Sequence, residues 1–124
     1  MTPNAGGLHE ATRAVRDAAG ALLAHSQPET RSFWTHLFDR PRERHYLDDV
    51  RAFVGALEGV ADVPPAELAE DDLREIQRQV ALAIEHIEQR VDRSMEHPDS
   101  AQALVRAIYG IRQRHEHITA RQRA

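Results

Sequence analysis

The stretch Leu73–Met95, LREIQRQVALAIEHIEQRVDRSM, sets Leu73, Ile76, Val80, Ile84, Ile87, Val91 and Met95 at steps of 3, 4, 4, 3, 4 and 4 residues. Position 73 therefore recurs at 84 and 95, an eleven-residue repeat. Eleven residues in three turns is about 3.67 per turn, close to the unstrained α-helix, so the aliphatic seam stays on one side without left-handed supercoiling. The spacing predicts one long, nearly straight helix from about Pro65 to His97, on the order of 48 Å at ~1.5 Å per residue. Acids crowd its start (Glu67, Glu70, Asp71, Asp72), where the helix dipole favours them.

Working outward, HPDS (97–100) reads as a tight connector, with Pro98 stopping one helix and Asp99 or Ser100 able to cap the next. The last helix then turns Leu104, Val105, Ile108, Ile111, His115 and Ile118 inward. Its length lets it fold back antiparallel until Ile118 reaches the level of Ile76, so the two seams match end to end. Upstream, GVADVPP (59–65) is the clearest loop. Before it, Leu47, Val50, Phe53, Val54 and Leu57 keep helical spacing, and Phe33, Trp34, Leu37 and Phe38 place half of the six aromatics in six residues, the expected densest part of the core. Between them, Pro41 in DRPRER demands a kink or a short break, because proline removes a backbone donor. Leu8, Ala11, Val15, Ala18, Ala19, Leu22 and Leu23 give a thin apolar face on a first helix ending near His25.

These segments predict an all-α fold: an antiparallel helical bundle of four to five helices with a long C-terminal helical hairpin. One helical-bundle domain is expected over residues 8–124, behind a disordered leader at residues 1–7. An alanine-rich first helix and one interrupted aromatic helix are too slight to cover so long a hairpin, so self-association is expected. The interface would draw on Leu73, Ile76, Val80, Ile84, Ile87, Val91 and Met95 with Leu104, Ile108, Ile111, His115 and Ile118. A histidine at such an interface would make association sensitive to acid.

Composition narrows the function. With 41% apolar and 29% charged residues the chain resembles globular proteins rather than disordered ones. A net charge of -4 gives no global pull toward nucleic acid or anionic membrane. The chain has no cysteine, which removes disulfides, thiolate metal sites and cysteine nucleophiles. No export signal or apolar run of about 20 residues stands out, so a cytoplasmic protein without membrane spans is expected. All 16 basic residues are arginine, the bias expected of a GC-rich bacterial genome.

Charge is unevenly spread. Residues 100–124 carry five arginines against one glutamate, whereas residues 66–99 carry ten acids against four arginines. An antiparallel pair of helices would set these opposite charges side by side, and basic residues suit a helix C-terminus. Arg112, Arg114, Arg121 and Arg123 are the candidates for polyanion binding, though apart from Tyr109 no aromatic residue is interleaved with them.

Arg112 and His117, with four residues between them, resemble the arginine-x4-histidine signature of HEPN-type ribonucleases, helical bundles whose pair lies near the catalytic centre. The resemblance implies RNA cleavage by Arg112 and His117. It rests on this spacing alone, which recurs at Arg31 with His36 and at Arg40 with His45, against about one match expected by chance. On an unbroken helix residues five apart point roughly 140° away from each other, so the pair needs a break in the last helix.

Other chemistries lack their patterns. Glu-x-x-His and His-x-x-x-His, the marks of di-iron and hemerythrin-like bundles, are absent, which predicts no metal and no cofactor. His45 with Asp49 is a weak ligand pair, and His86 and His97 stand about 16 Å apart on a helix. None of the four serines sits in a Gly-x-Ser-x-Gly elbow, and no glycine loop cradles phosphate. The expectation is a non-enzymatic helical protein acting through protein–protein contacts: a scaffold, adaptor or small subunit of a bacterial assembly, as a homo-oligomer or with a helical partner. The alternative is a HEPN-like ribonuclease or RNA-binding bundle using Arg112, Arg114, His115 and His117.

Overall fold

The computed structural model describes residues 7–25, 40–93 and 98–123 of the 124-residue chain. Among these residues the fold is all-helical, with four α-helices: α1 (Glu10–Leu23), α2 (Arg40–Ala61), α3 (Glu70–Arg93) and α4 (Pro98–Arg123). None of them is long and apolar enough to cross a membrane. The aromatic stretch at Phe33–Phe38, the leader residues 1–6, and Met95 and His97 lie outside the described residues.

One core joins the helices. α1 contributes Val15, Ala19 and Leu22; α2 contributes Tyr46, Val50, Phe53, Leu57 and Val60. α3 adds Ile76, Val80, Ala83 and Ile87, and α4 adds Leu104, Ile108, Ile111 and Ile118. Val63 and Leu68, from the connection between α2 and α3, close one end. Each helix packs on two others: α1 and α4 each lie against both α2 and α3. Consecutive helices α2 and α3 share no comparable interface, so residues 62–69 cross the end of the core to join them.

Side-chain pairings fix the directions. The start of α1 meets the start of α3 at His9 and Asp72, and His25, two residues past the end of α1, meets α3 again at His86, so α1 and α3 run the same way. Glu58 pairs with Arg114 and the Ala61 carbonyl accepts from Arg121 further along, so α2 and α4 run the same way. Glu88 pairs with Arg112, while Leu73 and Ile76 share a groove with Ile118 and Thr119, so α3 and α4 run in opposite senses along their seam.

Two expectations are corrected here. Gly59, Val60 and Ala61 belong to α2 rather than to a loop, and the turn begins only at Asp62. Val60 is fully buried, and burying it in the core is what extends the helix past the glycine. The helix expected from Pro65 instead begins at Glu70, after a single 3-10 turn, Pro65–Glu67, and an extended Leu68 at φ -95° and ψ 117°. Its 24 residues span about 36 Å. The break is held by burial and capping: Leu68 is tucked into the core, and Asp72 Oδ2 accepts the Ala69 N–H at 2.9 Å. The other carboxylate oxygen accepts the His9 N–H at 2.7 Å, tying the starts of α1 and α3 together. Asp72, chosen by the sequence for its charge near the dipole, is thus a buried clamp, 3% exposed. Pro41 sits in the first turn of α2, where its missing N–H has no intrahelical partner to lose.

Candidate functional site

The two flanks of α3 are chemically opposite. Facing α1 is a buried polar stripe: Asp72, Gln79 and His86 recur every seven residues, with Arg90 one turn on. Facing α4 is the outer part of the aliphatic seam, where Leu73, Ile84 and Val91 are half-buried.

At the polar flank, the Tyr46 hydroxyl donates to His86 Nδ1 at 2.8 Å, and His86 Nε2–H donates to the carbonyl of His25 at 2.9 Å. A carbonyl only accepts, so the proton sits on Nε2 and Nδ1 is left to accept; the neutral tautomer is fixed by its surroundings. The His25 Nε2–H donates to Asp49 Oδ2 at 2.5 Å, and its ring meets Tyr46 edge-on with centroids 5.2 Å apart. The Arg90 guanidinium lies 4.6 Å from the centroid of the Tyr46 ring, a cation-π contact. Burial pushes the His86 imidazole below its ordinary value, against the opposing effect of the His25 carbonyl, and the positive charges of Arg90 and His25 add to the lowering. Burial pushes the Tyr46 phenol well above its ordinary range, with Arg90 acting the other way. The phenol and the imidazole, bonded to each other and to the His25 carbonyl, tie α2, α3 and the end of α1 together.

The sequence contains the seven-step polar stripe but not its meaning, because its partners lie up to 63 residues away on other helices. Among the described residues no group of three His, Asp or Glu side chains gathers to hold a metal ion. His45 is exposed, while Asp49, its weak partner by spacing, is bonded to His25.

The basic end of α4 is largely committed within the chain. Arg112 pairs with Glu88 at 3.3 Å and Arg114 with Glu58 at 2.5 Å, both at the surface. Arg121 reaches the end of α2, donating to the carbonyls of Ala61 and, at 2.9 Å, Val63, and Gln122 donates to the carbonyl of Pro65 at 3.3 Å. Ala61 closes the last turn of α2 and Val63 lies just beyond it, so Arg121 caps the end of a neighbouring helix. Arg123 is exposed and makes no ion pair among the described residues. α4 runs unbroken through Arg112 and His117; Arg112 lies on the α3 side and His117 is exposed on another. The two side chains are not brought together.

On the outer side of α3 and α4 lies a discontinuous apolar strip. Ile76, Val80, Ile87, Leu104, Ile108, Ile111 and Ile118, named by the sequence as interface positions, are buried in the chain's own core. Leu73, Ile84, Val91 and His115 form the rim instead. Val105, expected on the inner face, is 37% exposed, and Tyr109 is 64% exposed. Val105 follows Leu104, and a single 100° step carries it from the core to the edge. A groove of about 630 Å³ opens at one end, floored by Ile76 and Ile118 and walled by Leu73, His115 and Thr119. A second, of about 270 Å³, lies further along beside Val91, Val105 and Tyr109. Burial in the first groove pushes the His115 imidazole down, with Glu116 opposing.

Compared with family models, curated proteins and solved structures, the chain shows no significant match to any of them.

Proposed function

We propose that the chain is a non-enzymatic helical protein that works by protein–protein contact, as a scaffold, adaptor or small subunit of an assembly. In this reading the fold is an antiparallel bundle whose last two helices act as one long hairpin, and the outer face of that hairpin is the contact surface. The observation that carries it is the clustering of the exposed apolar side chains: Tyr109 and Val105 stand on the same strip as half-buried Leu73, Ile84 and Val91, beside two grooves. Aliphatic and aromatic groups gathered in this way mark contact sites more often than scattered ones do. The polar cluster around Tyr46 supports the same reading from the other side, since its donors and acceptors are spent on holding helices together.

The test is a photo-cross-linking residue at position 109, introduced into the full chain in cells. Protein adducts at that site are the expected result. The ribonuclease alternative is examined separately with Arg112→Ala plus His117→Ala on a mixed RNA pool. A robust cleavage activity lost in that variant would contradict the proposal.

A further inference from the structure

We infer that the occupant of this face is a second copy of the same chain, laid antiparallel across it about a two-fold axis near Arg112; this rests on the contact reading above. Three features of the face lead to it.

The first is size. α4 has 26 residues, about 39 Å of helix, and two adjacent helices are about 20 Å across, so the face covers roughly 800 Å². That is about one partner's share of a standard interface.

The second is shape. The most exposed apolar side chain, Tyr109, and the larger groove lie on the same strip, separated along α4 by about 12 Å at ~1.5 Å per residue. A two-fold axis midway between them, at the level of Arg112 and Gln113, places Tyr109 of each copy over the groove of the other, between His115 and Thr119. A knob and a hole related in this way satisfy both copies with one operation, as an isologous contact requires.

The third is charge, which selects the direction. Arg123 borders the larger groove at one end of the strip, and Asp92 borders the smaller groove toward the other, near exposed Asp99 at the start of α4. None of the three makes an ion pair among the described residues. The same axis brings Arg123 within reach of Asp92 and Asp99 of the second copy, while Arg112, which the axis sets beside its own counterpart, is already paired with Glu88. A parallel arrangement would stack Arg123 on Arg123 and Asp92 on Asp92. Opposite charges at opposite ends of an apolar strip thus specify antiparallel pairing and penalise the alternative.

Sedimentation equilibrium of the full chain over a range of concentrations tests this. The molar mass should rise from 14.0 kDa toward twice that value. Tyr109→Glu should hold the protein at the monomer mass with unchanged helical circular dichroism, since the side chain is exposed in the single chain. Arg123→Glu should weaken association by about tenfold, because the pair occurs twice, and adding Asp92→Arg to that chain should restore it. A monomer at every concentration, or a dimer that Tyr109→Glu leaves intact, overturns the self-pairing. If protein adducts still form at position 109 in a monomer, the contact reading stands with another partner; if none form, both fall.

Discussion

The chain's two tyrosines stand in opposite surroundings. Tyr46 is 1% exposed, its hydroxyl bonded to His86 and its ring faced by Arg90, whereas Tyr109 is 64% exposed on the outer strip. The difference follows the two flanks of α3. Toward α1, the α3 side chains Asp72, Gln79 and His86 are buried because each finds a partner inside the chain. Toward α4, aliphatic groups are left half-covered, and none of the described helices lies over them. A flank that is complete should resist change only through its own contacts, and one that is incomplete should respond to concentration.

The largest expected effect separates the core from the rim. Ile87→Ala removes a fully buried side chain and should destabilise by about 2–5 kcal/mol in urea unfolding. Leu73→Ala, on the half-open edge, should cost about half as much, since part of its surface already meets water. Equal losses would mean that the two flanks are equally closed.

Next comes the polar cluster. Tyr46→Phe removes the buried hydroxyl that donates to His86 Nδ1 and should cost about 1–3 kcal/mol. Tyr109→Phe, measured on dilute protein, should stay within about 0.5 kcal/mol of the parent.

The dependence on pH sharpens the same contrast. Burial lowers the affinity of His86 and His115 for protons in the folded chain, so below the ordinary histidine value of about 6.5 the unfolded chain binds more protons than the folded one. Stability is therefore fully present above that value and falls as the pH drops below it. Thermal melts of the dilute chain in a pH series should show the midpoint declining on the acid side, with a shallower decline in His86→Gln. A midpoint that rises with acid would have the wrong sign.

The smallest effect is a gain. The Thr12 hydroxyl is fully buried in α1 with no hydrogen-bond partner among the described residues. Thr12→Val keeps the shape and removes the unsatisfied oxygen, which should stabilise by about 1 kcal/mol in chemical unfolding.

How much of this was legible beforehand depends on the distance over which each signal acts. The aliphatic steps of residues 73–91 announced α3 because helical periodicity is local to the chain, and Ile76, Val80 and Ile87 are indeed buried. The missed start at Glu70 turned on Leu68 and Asp72, whose burial depends on the end of the core and on α1. The arginine-rich stretch of α4 is helical through Arg123, and nothing near Arg121 in the sequence signals that it caps α2, 58 and 60 residues earlier in the chain. Likewise the stripe Asp72, Gln79 and His86 is visible as a heptad, while its pairing with α1 and Tyr46 exists only once the helices are side by side. Val105 was placed inside by its apolar character; which of two adjacent aliphatics faces the core is decided by the neighbouring helix, not by the residue.

Hydroxyl-radical footprinting of both tyrosines at low and high protein concentration, read by mass spectrometry, tests the contrast most directly. Tyr46 should be unreactive throughout, and Tyr109 should react strongly in the dilute chain and lose reactivity as copies pair. Equal reactivity of the two tyrosines in dilute solution, or a Tyr109 that reacts alike at every concentration, would contradict it.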